Sequence, residues 1–455
     1  MTTNKKMLRL NAFLLNTGHH IAAWRHPNVP ANRALDFSYY REIAGIAEAA
    51  KFDALFLADH IGINQASGED IEVQQRSARA VFFEPLTLLS ALAVVTKHIG
   101  LIATASTSYH EPYNLARKFA SLDHLSKGRA GWNVVTSASN TEAYNFGLAR
   151  QTPHALRYEQ AEEYVHVVKG LWESWEDDAF LIDKQSGRYF DPSKLHALNH
   201  KGKHFQVAGP LNIARTPQGH PIVVQAGSSE PGQELAAKTA EVVFTAQQNY
   251  DTAHAFYKSL KSRMPKYGRN PDELKIMPGM FVVVGESQAH AQEKLEELQA
   301  LLPPEVGVGL LSSQMGSIDL KPYPIDGLFP KNLKEPEGHK ARFQLLSQTA
   351  YRDGLTIRQL YERTAPARGH WTVVGTAEQV ADQMQEWLEG EAADGFNVMA
   401  PSFPGGLQDF AKHVIPELQR RGIFRQEYEG ATLRDRLGLK RPESIHVGAR
   451  QEQNS

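Results

Sequence analysis

Short apolar runs alternate with amphipathic stretches along most of this chain, the pattern of βα units wrapped around a parallel sheet. Apolar, β-branched runs predict strands over Leu8–Leu15, Ala54–Ala58, Ile99–Thr104, Ala130–Thr136, Pro221–Ala226, Val242–Ala246, Lys275–Val283 and Gly395–Ala400. Apolar positions recur at helical spacing in Tyr39, Ile43, Ile46 and Ala50, in Leu115, Phe119 and Leu122, and in Ala291, Leu295, Leu298 and Leu302. Thr376 and Gln379 read as a capping box ahead of Val380, Met384 and Trp387 on one helix face. Eight strands with helices between them predict an α/β fold, a (β/α)8 TIM barrel. An open doubly wound sheet accommodates the same strand count and stands as the alternative.

Four stretches exceed what a minimal barrel needs: 60–81, 138–156, 175–207 and 303–355. The first is polar and aperiodic, and the second is a long excursion between a strand and a helix. The third mixes aromatics, Gly and Asp-Pro like a surface hairpin, and the fourth is rich in Pro, Gly and Leu. Insertions of this length in a compact domain are commonly functional. Gathered at the C-terminal face of the strands, they would wall a site there. One domain over 1–455 is expected, with a polar tail over 440–455 that is frayed or packed on a neighbour.

With 455 residues and 42% apolar content the chain can bury a large core. A net charge of −2, with both signs interspersed, argues against nucleic acid or an anionic membrane as partner. Having no cysteine excludes disulfides, thiolate catalysis and cysteine-ligated zinc. Residues 1–7 lead into a strand without a signal-peptide core, and no apolar run reaches membrane-spanning length. A soluble, cytoplasmic protein is expected.

The run from Pro221 to Gly232 reads as a buried strand that ends in Gly227-Ser228-Ser229 and opens a helix. Backbone N–H groups and hydroxyls at such a corner suit an anion, commonly a phosphate. A Ser N-cap on a crossover helix explains the same residues. Neither a Gly-x-Gly-x-x-Gly fingerprint nor a Walker loop is present, which disfavours an ordinary dinucleotide or triphosphate site. Asp59 and His60 end the second strand, where a carboxylate suits a ring N–H, a sugar hydroxyl, a metal or simply a turn. Thr104, Ser106, Thr107 and Ser108 end the third strand, with hydroxyls that fit a polar ligand or, for Thr, strand propensity alone. Asn133 lies near the end of the fourth strand. Facing a barrel interior, it needs partners, which the carbonyl and N–H of a heteroaromatic ring would provide.

His154 and Tyr158 are four apart and share one face at the mouth of a helix, with Arg157 between them. They are placed to reach a phosphate or a ring edge, or to form an exposed helix start. His19, His20, Trp24, Arg25 and His26 follow the first strand, a cluster open to an anionic substrate, a metal or a plain polar loop. Adjacent His19-His20 and Asp59-His60 do not converge as metal ligands do, and there is no Gly-x-Ser-x-Gly elbow. No metal site is predicted, and no protein acid, base or nucleophile can be assigned. That absence points to a bound cofactor carrying the chemistry.

Taken in order, these segments resemble the bacterial luciferase-like flavin monooxygenases, in the nitrilotriacetate and dibenzothiophene sulfone monooxygenase subgroup. The resemblance rests on Ala58-Asp59, Ala103-Thr104-Ala105-Ser106-Thr107, Pro112-Tyr113-Asn114-Leu115-Ala116-Arg117, Ser121-Leu122-Asp123-His124, Gly128-Arg129-Ala130-Gly131-Trp132-Asn133-Val134-Val135-Thr136-Ser137 and Gln225-Ala226-Gly227-Ser228-Ser229. Ala393-Asp394-Gly395-Phe396-Asn397 and Pro416-Glu417-Leu418-Gln419-Arg420-Arg421-Gly422 extend it nearly to the C-terminus.

The resemblance implies a TIM barrel that uses reduced FMN (FMNH2) as a co-substrate, delivered by a separate NAD(P)H:flavin reductase. Oxygen would add at the flavin C4a, giving a peroxide or hydroperoxide that attacks a small organic substrate. It assigns Asp59, Thr104 and Asn133 to the isoalloxazine or ribityl chain, His154 and Tyr158 to the ribityl-phosphate side, and Ser228 with Ser229 to the phosphate. It also implies a homodimer or homotetramer. His19, His20, Trp24 and Arg25, with parts of 64–81 and 303–355, are expected to border the substrate cavity and to suit an aminopolycarboxylate or related amine. Three alternatives stand beside this reading: a deazaflavin-dependent oxidoreductase on the same barrel, a metal-dependent TIM-barrel hydrolase, and a non-catalytic flavin-binding homologue.

Overall fold

All eight apolar runs form strands, and all of them pair in parallel. A computed structural model describes residues 6–63, 71–336, 340–364 and 366–447. Its barrel strands are β1 (Arg9–Leu14), β2 (Ala54–Leu57), β3 (Gly100–Ser106), β4 (Ala130–Val135), β5 (Ile222–Gln225), β6 (Val242–Thr245), β7 (Lys275–Val284) and β8 (Gly395–Met399). Neighbours run in the order β6-β5-β4-β3-β2-β1-β8-β7, and β6 also pairs with β7. That last pairing closes the ring, so the sheet is a barrel and the open doubly wound alternative falls. Helices occupy the connections, and the capping box at Thr376 and Gln379 forms as expected.

Side chains alternate across the wall, as the two-residue period of a strand requires. Leu10, Ala12, Leu55, Leu101 and Trp132 face outward into a core shared with the helices. Phe13, Phe56, Ile102, Val224 and Phe281 face inward and form a separate interior cluster. β7 is longer than its neighbours. Lys275–Pro278 pair with β6, and Met280–Val284 would then present an unpaired edge. A ninth strand that the apolar pattern did not single out, Trp371–Gly375, covers that edge in parallel.

The insertions divide between the two ends of the barrel. Helices Pro304–Gln314, Lys340–Asp353 and Ile357–Thr364 build an apolar cluster of their own around Val306, Leu311, Met315 and Leu360. Ile21 and Ala22, from the loop after β1, join that cluster, so this insertion covers the carboxyl ends of the strands. The 175–207 excursion corrects the expectation that the insertions gather on that face. It follows a helix (His154–Trp172), leads toward the start of β5, and consists of two short hairpins. Its Asp177 pairs with Arg215 and with Arg441 of the C-terminal segment.

The C-terminal segment is another correction. Residues 425–447 pack on their own barrel rather than fraying, while 448–455 lie outside the described residues. Leu433 and Leu437 enter the interior cluster from the amino end of the strands. The fit is close at Gly100, where a β-carbon would stand 2.6 Å from a Leu433 methyl. Buried Arg434 pairs with Glu241, which also accepts a hydrogen bond from the Val223 N–H at 3.0 Å. Arg425 pairs with buried Asp53 in the same layer. Among the described residues no helix is long and apolar enough to cross a membrane.

Removing one partner of a buried ion pair leaves the other charge uncompensated, at a cost of about 3–5 kcal/mol. Arg434→Met is therefore expected to lower unfolding stability by about that much in urea titration. Adding Glu241→Gln should recover part of the loss. Equal losses in the single and double variants would contradict the pairing.

Candidate functional site

Closure brings the carboxyl ends of all eight strands to one rim, and most of the singled-out residues lie there. Asp59 follows β2, and its carboxylate accepts a hydrogen bond from the His60 N–H at 2.9 Å. Thr104 of β3 donates to the Leu57 carbonyl at 2.8 Å and accepts from Asn133 Nδ2 of β4 at 2.8 Å. Asn133 Oδ1 stays buried without a partner. A buried, unmatched amide oxygen at the barrel mouth is where a ligand donor belongs.

The other hydroxyls at the end of β3 have a structural job. Ser108 donates to the Thr136 carbonyl at 2.8 Å, Thr107 to the Val135 carbonyl at 3.2 Å, and Ser106 lies 2.9 Å from the Ser137 hydroxyl. These bonds stitch the loop after β3 to the loop after β4. Ser137 in turn donates to Glu142, which caps the short helix Asn140–Asn145 and accepts from the Ile61 N–H.

The Gly-Ser-Ser corner forms between β5 and the helix Glu230–Thr239. Ser229 is the N-cap, its hydroxyl accepting from the Gly232 N–H at 3.3 Å, while Ser228 is exposed. The chain passes so close to itself that a β-carbon at Gly227 would meet Gly232 Cα at 3.0 Å and the Tyr158 hydroxyl at 3.2 Å. Tyr158 is thus brought against the corner from the helix His154–Trp172, and its ring lies 4.8 Å from that of His154. Buried Gln225 Oε1, two residues before Gly227 at the end of β5, has no partner. The corner therefore combines helix N–H groups, serine hydroxyls and a phenol at a single point, and the capping and anion-binding readings of Ser229 are both available to it.

A cavity of about 410 Å³ opens beside Asp59, between the ends of β1 and β2 and the insertions. Its wall includes His20, Arg79, Phe82, Val306 and Arg368. Of the four residues expected to border the substrate, only His20 lines it. His19 is fully buried, with Nε2 2.8 Å from the Phe13 carbonyl. Trp24 donates to the Arg76 carbonyl at 3.1 Å, and Arg25 to the Leu301 carbonyl, so they tie the loop after β1 to the 60–81 insertion and to the end of the helix Gln288–Ala300. Residues 64–70 of the expected rim lie outside the described residues.

Burial, reinforced by the nearby carboxylates of Glu84 and Glu142, pushes the Asp59 carboxyl up to about 6. Burial and the Arg79 charge push His20 down to about 3, so its ring is neutral. His370, Phe244, Arg79 and Arg368 were not singled out in the sequence. His370 stacks on Phe244 of β6, ring centroids 5.1 Å apart. It fits only because β7 has glycine at 279, where a β-carbon would stand 2.4 Å from His370 Nδ1. Among the described residues no group of three or more His, Asp or Glu could hold a metal ion.

The family model for luciferase-like monooxygenases matches residues 12–394. N-acetyl-S-(2-succino)cysteine monooxygenase of Bacillus subtilis is 51% identical, over 97% of this chain and 99% of its own. Nitrilotriacetate monooxygenase component A of Aminobacter aminovorans is also 51% identical, over 98% and 99%. Among solved structures, a long-chain alkane monooxygenase superimposes with a TM-score of 0.85 at 38% identity, covering 98% of this chain and 99% of that one. The chain belongs to the luciferase-like monooxygenase family.

The raised Asp59 carboxyl makes stability pH-dependent with a definite sign. An acid held at about 6 when folded, against an ordinary 3.8, binds its proton more tightly in the folded state. Its contribution is most favourable below that ordinary value and declines as pH rises through 6. Asp59→Asn removes the decline, so the variant's gain in melting temperature is expected to be larger at pH 8 than at pH 4.5. A gain independent of pH would show that Asp59 ionises freely.

Proposed function

We propose that this luciferase-like monooxygenase is the oxygenase component of a two-component system, taking reduced FMN from a separate NAD(P)H:flavin reductase and oxidising a small anionic substrate with O2. The observation that carries the reading is the convergence of Tyr158 on the Gly227-Ser228-Ser229 corner, on the same rim as the unmatched Asn133 amide. Ser228, Ser229 and Tyr158 would hold the phosphate, with His154 beside the ribityl chain. Asp59, Thr104 and Asn133 would meet the ring system. Buried donors and acceptors left without protein partners fit a polar heteroaromatic group there.

When bound, reduced flavin would supply the two electrons that divide O2 between substrate and water. The chain's own part is to bind, orient and keep water out. The insertion 303–355 roofs the rim with apolar side chains, which excludes solvent and strengthens the polar contacts beneath. Asp59, with its carboxyl near 6, can hold or release a proton around neutral pH.

The two relatives at 51% identity act on molecules of shared chemistry. Nitrilotriacetate and N-acetyl-S-(2-succino)cysteine are both tricarboxylates in which a nitrogen or sulfur is bonded to a carbon next to a carboxylate. The substrate class proposed for this chain is the same: an aminopolycarboxylate or its sulfur counterpart. One oxygen atom of O2 enters the C–H bond beside the heteroatom and the other leaves as water. The hydroxylated carbon then releases the amine or thiol and becomes the carbonyl of an oxo acid. The same reading makes the protein one barrel unit, cytoplasmic, and a homodimer or homotetramer.

Anaerobic titration with FMNH2, followed by turnover with a flavin reductase and O2, tests the reading. Ser229→Ala and Tyr158→Phe should each weaken FMNH2 binding by about 1–3 kcal/mol, the worth of a hydrogen bond to a charged group. Unchanged affinity in both variants would put the phosphate elsewhere. A deazaflavin enzyme would show no substrate-linked oxygen uptake with FMNH2, and a hydrolase would lose its activity to chelators.

A further inference from the structure

The cavity beside Asp59 is lined by a cation, Arg368, that forms no ion pair among the described residues. Arg368 lies just before the ninth strand, in a left-handed turn with φ +50°, followed by Gly369 at φ +89°. The turn aims the guanidinium at the carboxyl ends of β1 and β2. There it makes one hydrogen bond among the described residues, from Nη2 to His19 Nδ1 at 2.9 Å, and no ion pair. Its Nε is buried without a partner.

His19 is what fixes this arrangement. Its Nε2 lies 2.8 Å from the Phe13 carbonyl, so the N–H belongs on that side and Nδ1 is left to accept from Arg368. Its backbone carbonyl accepts from Arg79 Nη2 at 2.8 Å. His19 therefore holds two guanidiniums at the same cavity, Arg368 through its neutral ring and Arg79 through its backbone carbonyl. Burial and these two cations hold His19 well below the ordinary histidine range, which keeps the ring an acceptor. The Arg368 guanidinium is itself pushed down to about 9, by burial first and by Arg79 second.

The carboxylate on the cavity wall among the described residues, Asp59, does not answer this charge. Asp59 is shifted upward by burial and by Glu84 and Glu142, and no ion pair joins it to Arg368 among the described residues. The same wall carries the apolar side chains Phe82, Phe83, Val306 and Leu310. An unpaired charge against apolar walls is costly, and an incoming carboxylate would relieve that cost with a planar, two-pronged contact.

We infer that Arg368, with Arg79 beside it, is the receptor for a substrate carboxylate in the cavity next to Asp59, and that His19 is the positioning residue behind it. This rests on the reading of the rim as an oxygenase site and names what selects its substrate: carboxylate-bearing molecules over neutral ones of the same shape. A cavity of about 410 Å³ has room for a small polycarboxylate.

Calorimetric titration, with and without reduced FMN, of nitrilotriacetate and of its neutral triamide tests the inference. Wild-type protein should prefer the trianion by about tenfold or more. Arg368→Met should lose most of that preference while keeping its affinity for the triamide and for FMNH2, and Arg368→Lys should restore part of it. His19→Leu should weaken trianion binding and leave FMNH2 binding intact. Equal binding of trianion and triamide by the wild type would overturn the inference, as would wild-type protein that takes up FMNH2 but neither probe. An Arg368→Met variant that loses both probes alike would show a structural role only. Failure to bind FMNH2 alongside a clear preference for the trianion would instead sink the oxygenase reading and leave the receptor standing.

Discussion

A ring of eight parallel strands has no edge, and it delivers every strand's carboxyl end to the same rim. Everything else in this molecule follows from that closure. Backbone pairing is satisfied all the way round, so the interior can be filled from the amino end by Leu433 and Leu437, leaving the other end open for chemistry. The buried pairs Arg434–Glu241 and Arg425–Asp53 fasten the plug that makes this possible. The two ends of the barrel thus divide the labour, one closed by the C-terminal segment and the other built into a site by loops and insertions.

At the open end, polar groups are of two kinds. Some are fully matched and hold loops to one another, as Ser108, Thr107 and Glu142 do. Others are buried and left short of a partner, among them Asn133 Oδ1, Gln225 Oε1 and Arg368 Nε. Protein interiors rarely tolerate the second kind without a reason. These three lie on one rim, divided between the mouth of β4, the Gly-Ser-Ser corner and the cavity beside Asp59. That division matches a ring system, a phosphate and a substrate anion.

Much of the fold was legible in the sequence because strands buried on both faces are written as continuous apolar runs, and helices as amphipathic ones. The Gly227-Ser228-Ser229 corner was legible because its residues are contiguous. What could not be read depends on distant contacts. Trp371–Gly375 is a strand only because β7 outruns β6, a matter of relative length that no local pattern records. Leu433 and Leu437 lie around a helix too short to show periodicity. His19 and His20 are neighbours in sequence, yet one ring is turned into the wall and the other lines the cavity. Arg368 and His370 reach the rim from a loop about 350 residues after β1, brought there by the insertion that precedes them. Gly279 carried the one available hint, a glycine inside a strand that marks close approach by another group.

The central claim is that the Gly-Ser-Ser corner, with Tyr158 against it, grips a terminal phosphate. Anaerobic titration of the wild-type protein with reduced FMN and with reduced riboflavin, which differ only in that phosphate, tests it directly. The account predicts that FMN binds at least tenfold more tightly and that added inorganic phosphate competes with FMN but not with riboflavin. Equal affinity for the two flavins would contradict it.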